Sequence, residues 1–213
     1  MREDICLSIG NINYSEILEQ LEGVALAEIR IDLLNLNSDQ LKSIFNLHKN
    51  LIATHRATKG DFEVMVWNLN VAIEHGCAYI DIDINTPEQY RKTLIDKARR
   101  NGCKVILSYH NFIETPSAEQ LNKIVNNLFS KGAEIAKIAC MANNEEDIKR
   151  VLALYSNYKN LVAFAMGEIG KPSRIEAIQM GATFTYASVK GNETAPGQMS
   201  YDEIESLLNI KNL

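Results

Sequence analysis

Four glycines in this chain, Gly76, Gly102, Gly132 and Gly181, each close a stretch of helical periodicity just before a short apolar run. A glycine past the last helical turn adopts the left-handed conformation that stops a helix, so the pattern predicts a helix, a turn and a strand used repeatedly. The apolar runs predict strands at 5–9, 25–30, 51–55, 79–82, 105–109, 135–140, 161–165 and 184–186. Between them, helical spacing predicts helices at 14–21, 38–47, 62–75, 87–101, 117–131, 144–158, 173–180 and 201–210. Several helix starts carry their own signals. Pro87 follows Thr86 in a cap-then-proline order, and Asn144 precedes Glu145, Glu146 and Asp147.

Eight strand-helix units in 213 residues average about 27 residues each, which suits a compact (β/α)₈ TIM barrel. A doubly wound open sheet also alternates, but it usually has fewer strands and often a glycine-rich phosphate loop after the first one. Gly10-Asn11-Ile12-Asn13 carries no such fingerprint. One barrel domain spanning residues 1–213 is therefore expected, and at 46% hydrophobic residues the chain can fill its core.

Charge and cysteine usage narrow the function classes. A net charge of −5 argues against a general nucleic-acid binder, which usually carries a basic surplus. No apolar stretch is long enough to span a membrane, and Met-Arg-Glu-Asp does not open a signal peptide. Cys6, Cys77, Cys103 and Cys140 lie far apart, without metal-ligand spacing and beside apolar runs, so buried free thiols are expected. These features predict a soluble protein of a reducing compartment, most simply the cytoplasm.

Within the sixth predicted strand stands Lys137, flanked by Ile135, Ala136, Ile138 and Ala139. Burying a lysine is costly because desolvation disfavours the ammonium form. The cost makes chemical sense if a neutral amine must attack a carbonyl and form an imine. The alternative, a lysine facing outward or reaching the surface, weakens once the other strands are considered. Barrel enzymes carry their sites at the C-terminal strand ends, and polar groups gather there on nearly every strand of this chain. Glu28 and Arg30 share a face of strand two by alternation; Arg56 follows strand three; Asp81 and Asp83 mark strand four; His110 ends strand five. Arg174 opens the seventh helix, where a cation opposes the helix dipole and needs another reason to be present. Thr194 and Gln198 follow strand eight.

These pieces resemble a type I 3-dehydroquinate dehydratase, the Schiff-base enzyme of the shikimate pathway. The matching motifs are Glu28-X-Arg30-X-Asp32, Arg56, Asp81-Ile82-Asp83, Ser108-Tyr109-His110-Asn111-Phe112 and Lys137-Ile138-Ala139, followed by Ala165-Met166-Gly167 with Ser173-Arg174, and Thr194-Ala195-Pro196-Gly197-Gln198. They run in the family's order from about Ile5 to the end of the chain. The resemblance implies that Lys137 forms an imine with the ketone of 3-dehydroquinate. It makes His110 the group that removes the neighbouring proton and assists departure of water. Arg174 would hold the substrate carboxylate, with Gln198 and the Thr194 region closing over it, while Glu28, Arg30 and Arg56 orient the ring hydroxyls. It also implies a homodimer.

The residue types suit that chemistry on their own terms. A protonated imine is an electron sink, so the adjacent C–H becomes acidic enough for a histidine base. Histidine can alternate between base and acid near neutral pH. Arginine grips a carboxylate through two parallel hydrogen bonds, and arginines near Lys137 would join burial in favouring its neutral amine. No metal or organic cofactor is required. Asp81 and Asp83 read as mainly structural, with Lys137 or Arg30 as their partners, while His48, His55 and His75 carry no catalytic role.

The chain departs from the family pattern at several points. A glutamate that contacts the catalytic histidine usually follows the strand-three arginine, but here the run is Arg56-Ala57-Thr58-Lys59-Gly60-Asp61. Either Asp61 substitutes or His110 lacks that partner. Thr194 stands where serine is more usual, Asp83 where glutamate is common, and the chain starts almost directly at strand one, without the hairpin that often closes the barrel floor. Two other readings fit parts of the pattern. A class I aldolase-like lyase would want a phosphate-binding glycine loop after strands seven and eight, where this chain has the 194–198 segment. A non-catalytic barrel that binds a small carboxylate has only the missing glutamate in its favour.

Overall fold

The computed structural model describes residues 2–57 and 60–210. Strands and helices alternate throughout: β1 (Ile5–Ile9), α1 (Tyr14–Glu22), β2 (Ala27–Arg30), α2 (Ser38–Leu47), β3 (Leu51–Thr54), α3 (Phe62–Glu74), β4 (Tyr79–Asp83) and α4 (Glu88–Arg100). The second half continues with β5 (Lys104–Asn111), α5 (Ala118–Ser130), β6 (Ile135–Met141), α6 (Glu145–Leu152), β7 (Leu161–Met166), α7 (Ser173–Gln179), β8 (Thr185–Ser188) and α8 (Tyr201–Ile210). The eight strands are all parallel, in the order β7-β6-β5-β4-β3-β2-β1-β8. They form a nearly closed (β/α)₈ barrel. The β7–β8 seam carries no ladder, but Thr183 N–H donates to the Leu161 carbonyl across it at 3.0 Å.

Helix ends follow the chemistry of their sequences. Asn13, Asn37, Ser117 and Asn144 each cap a helix with a side-chain oxygen, and the third helical residue returns a bond to the cap backbone. The four punctuating glycines all take positive φ, from 72° at Gly102 to 104° at Gly132.

Two apolar layers make the core, and the strand pleat separates them. Leu7, Ile9, Ala27, Ile29, Val105 and Leu107 face outward under the helices. Residues of the alternate register, Cys6, Leu26, Ile52, Ile106, Val162 and Phe184, fill the barrel interior. All four cysteines are buried free thiols. No helix among the described residues is long and apolar enough to cross a membrane.

The expected element boundaries shift in an informative way. β4 and β5 run past the predicted apolar runs to Asp83 and Asn111, because polar residues at the barrel mouth remain on the ladder, while β6 and β7 each extend by one methionine, to Met141 and Met166. The sixth helix, expected over 144–158, stops at Leu152 and tightens into a 3₁₀ turn at Ala153–Ser156. There the Tyr155 hydroxyl exchanges hydrogen bonds with the Ala163 backbone, at 2.8 and 2.6 Å, and ties the turn to β7.

Candidate active site

The pleat that packs the interior also aims the polar residues. Ser8, Glu28, Arg30, Thr54, Asp81, Asp83, His110 and Lys137 lie at even spacing from the inward-facing apolar residues of their own strands, so they face inward too. At the C-terminal mouth Ser8, Glu28, Arg30, Asp83, His110 and Lys137 line a cavity of about 520 Å³, while the buried Thr54 and Asp81 bond to Glu28 and Lys137 of that lining.

Lys137 sits in the middle of β6, opposite Ser108 of β5 and Val162 of β7, and is 5% exposed. Its Nζ lies 2.9 Å from Asp81 Oδ2, 3.8 Å from Glu28 Oε1 and 3.9 Å from the centre of the Tyr186 ring. The charges in contact with the amine are thus carboxylates. The expectation of arginines against it is corrected: Arg56 reaches the same cluster only by pairing with the other oxygen of Asp81, at 2.8 Å. Burial alone would raise the Asp81 carboxyl, but Arg56 and Lys137, with smaller help from His110 and Ser108, hold it far below the ordinary carboxylate range. Glu28 pairs with neither Arg30 nor Arg56. It accepts from Ser8 Oγ at 2.6 Å and Thr54 Oγ1 at 2.8 Å, while Arg30 pairs with Asp32 at 2.8 Å.

His110 stands beyond Ser108 on β5, with Nδ1 3.0 Å from Asp83 Oδ2. Burial pushes the imidazole below its usual range; the bond to Asp83 pulls it up, and Arg56 and Lys137 push it down again. The net direction favours the neutral ring. A carboxylate can only accept, so in the neutral ring Nδ1 carries the proton and Nε2 is left to take one.

Arg174 reaches the cavity from α7. Its guanidinium lies 4.1 Å from the centre of the Phe164 ring of β7, and Nη1 donates to the Tyr186 carbonyl of β8 at 3.3 Å, so the side chain bridges the seam. It is 1% exposed, pairs with no carboxylate among the described residues, and leaves Nη2 without a hydrogen-bond partner. Burial lowers its pKa from 12.5 to about 10. Gln198 is held by donation to the Ala187 carbonyl at 3.1 Å, and its Oε1 accepts from the Thr194 backbone at 2.8 Å. Thr194 Oγ1 in turn lies 2.7 Å from Ser8 Oγ, which joins the loop after β8 to Glu28. Gly197, at φ +68°, packs this loop against the Gly167 backbone so tightly that a Cβ would collide with it. Among the described residues no cluster of three or more His, Cys, Asp or Glu side chains is arranged to hold a metal ion.

Comparison with known proteins assigns the family. The sequence model of the type I 3-dehydroquinase family matches residues 5–213. The chain belongs to that family. A 3-dehydroquinate dehydratase of Methanocaldococcus jannaschii is 35% identical over 202 residues, covering 91% of this chain and 90% of its own. One from Dehalococcoides mccartyi is 35% identical over 205 residues, covering 92% and 90%. Among solved structures, a type I 3-dehydroquinate dehydratase of Clostridium difficile shares the fold with a TM-score of 0.85. It is 22% identical, covering 100% of this chain and 94% of that one.

Glu28, Arg30, Arg56, His110, Lys137, Arg174, Thr194 and Gln198, the residues singled out in the sequence, all line the one cavity. The structure adds Ser8, Thr54, Phe164 and Tyr186, whose types gave no warning; only their inward register could have found them. It also corrects Asp83. Read as structural, with Lys137 or Arg30 as its partner, Asp83 instead bonds His110, while Asp81 pairs with Lys137.

Proposed function

We propose that the chain converts 3-dehydroquinate to 3-dehydroshikimate and water through an imine on Lys137. One observation carries the reading: a single cavity holds a buried primary amine and a buried guanidinium without a counterion. An apolar interior tolerates such a cation when an anion arrives to pair with it. A substrate that brings both a carboxylate and a ketone satisfies Arg174 and Lys137 together.

The steps follow from the groups. Lys137 gives up a proton, adds to the ketone carbon and expels its oxygen as water, leaving a protonated imine. That cation remains beside Asp81 and Glu28, which suit it as well as they suit the ammonium. His110 Nε2 takes a proton from the adjacent carbon, and the electron pair moves toward the iminium nitrogen. The resulting imidazolium returns its proton to the departing hydroxyl as the carbon–carbon double bond forms. Water then hydrolyses the imine and frees the amine. Arg174 fixes the carboxylate in this reading, with Gln198 and Thr194 over it, and Glu28, Arg30 and Arg56 orient the ring hydroxyls. The proposal extends to a homodimer, on the resemblance, and to the cytoplasm, a reducing compartment that suits four buried free thiols.

Incubation with 3-dehydroquinate and borohydride tests it. A reduced, substrate-derived mass is expected on one peptide, the one that contains Lys137. Turnover with labelling at another residue, or with none, overturns the reading.

A further inference from the structure

We infer that Asp83 is the carboxylate that positions His110 for catalysis, a task for which the loop after β3 supplies no glutamate. The inference rests on the dehydratase reading for its kinetic consequence, but its structural part stands on geometry alone. Register sets Asp83 of β4 opposite Ser108 of β5, so an inward carboxylate at the end of β4 meets a side chain projecting from His110, two residues further along its neighbour. Asp83 Oδ2 lies 3.0 Å from His110 Nδ1. Its other oxygen accepts from the Asn85 backbone N–H at 2.9 Å, which fixes the plane of the carboxylate. Asp61, the acid that the sequence offered as a substitute, makes no bond to His110, and the only ion pair of His110 among the described residues is with Asp83.

Two consequences follow for the imidazole. The tautomer is set with the proton on Nδ1, so Nε2 is basic without any rearrangement. The imidazolium formed after proton abstraction also meets a full negative charge at hydrogen-bond distance. The other charged groups bearing on the ring are Arg56 from the end of β3, Asp81 from β4 and Lys137 from β6, and the two cations oppose its protonation. Asp83 is therefore the contact that keeps a buried histidine, flanked by two cations, basic enough to serve.

The test compares Asp83→Asn and Asp83→Glu with the parent protein. In ligand-free protein, nitrogen-15 NMR of the His110 ring reads the tautomer and the titration directly. Asp83→Asn is expected to lose the fixed Nδ1–H tautomer and to titrate about one pH unit lower, the low end of what an opposite charge in contact produces. In turnover, kcat is expected to fall roughly 10- to 100-fold with KM nearly constant, and the acid limb of the pH profile to move to lower pH. Asp83→Glu should recover most of both. Borohydride labelling of Lys137 in Asp83→Asn verifies that the site still assembles. An unchanged His110 tautomer and titration in Asp83→Asn overturns the inference whatever the substrate. A kcat loss that leaves the pH limb in place and that Asp83→Glu does not restore overturns it as well. A parent protein that fails to form the imine would instead sink the dehydratase reading, and the NMR comparison would still decide the role of Asp83.

Discussion

Replacing Arg174 by methionine should make the ligand-free protein more stable and the enzyme much worse. Burial lowers the guanidinium from 12.5 to about 10, and at about 1.4 kcal/mol per factor of ten this costs the folded state roughly 3 kcal/mol. Part of that cost is already offset. The stacking on Phe164 contributes about 1 kcal/mol, although a methionine sulfur would keep some of it. Donation to the Gly197 and Tyr186 carbonyls, both at 3.3 Å, contributes about another 1 kcal/mol. The net gain from Arg174→Met is then about 1 kcal/mol, or a rise in Tm of about 2–4 °C for a domain of this size. The pH dependence has a defined sign. The penalty is full below about pH 10, where the group is charged in both states, and fades as pH rises toward 12.5, so the gain persists at neutral pH. If Arg174 clamps the substrate carboxylate as proposed, the same change would also remove two charge-assisted hydrogen bonds of about 1.5–3 kcal/mol each, so KM should rise roughly 100-fold or more. Thermal melts without ligand and steady-state rates, followed by the ultraviolet absorbance of the conjugated product, measure both. A variant that melts below the parent and keeps the parental KM would refute the reasoning, because Arg174 would then be a bridge across the β7–β8 seam and nothing more.

Four further outcomes follow. Lys137→Ala should abolish borohydride labelling and turnover together, and residual turnover near the parental rate would exclude the imine route. Because burial holds His110 below 6.5, the midpoint of the acid limb of log(kcat/KM) should lie below pH 6.5, as the base is lost to protonation; a midpoint above pH 6.5 would contradict this. Gly197→Ala must distort a residue at φ +68° and push the loop off Gly167, so KM should rise and the fold should lose roughly 1–3 kcal/mol, read by urea titration. The four thiols should resist a disulfide reagent until the protein is unfolded, since all are buried and burial raises Cys140 to about 12; rapid modification of the native protein would contradict their placement.

Much of the barrel was legible along the chain because its causes are local. A glycine that stops a helix, an asparagine or serine that caps one, and an apolar run of strand length act within a few residues, whatever surrounds them. Strand ends were less legible, since β4 and β5 stay on the ladder through Asp83 and Asn111, polar residues that by composition alone read as loop. The site residues could be named because Lys137 and Arg174 contradict their own surroundings: a cation in an apolar strand, and another at a helix start, need a reason from outside the segment.

What pairs with what was decided elsewhere. Lys137 and Asp81 are 56 positions apart, and whether they touch depends on the stagger of β4, β5 and β6. Neither strand encodes that stagger, which the closing of the sheet imposes. The same stagger brings Asp83 to His110, and the seam between β7 and β8 gives Arg174 a place between Phe164 and Tyr186. By itself the sequence determined the repeating units, the inward faces and the reactive groups. Only the tertiary structure decided their partners, because the charge state of a buried amine, imidazole or guanidinium depends on contacts a few ångströms away, and those contacts join parts of the chain that local preference cannot align.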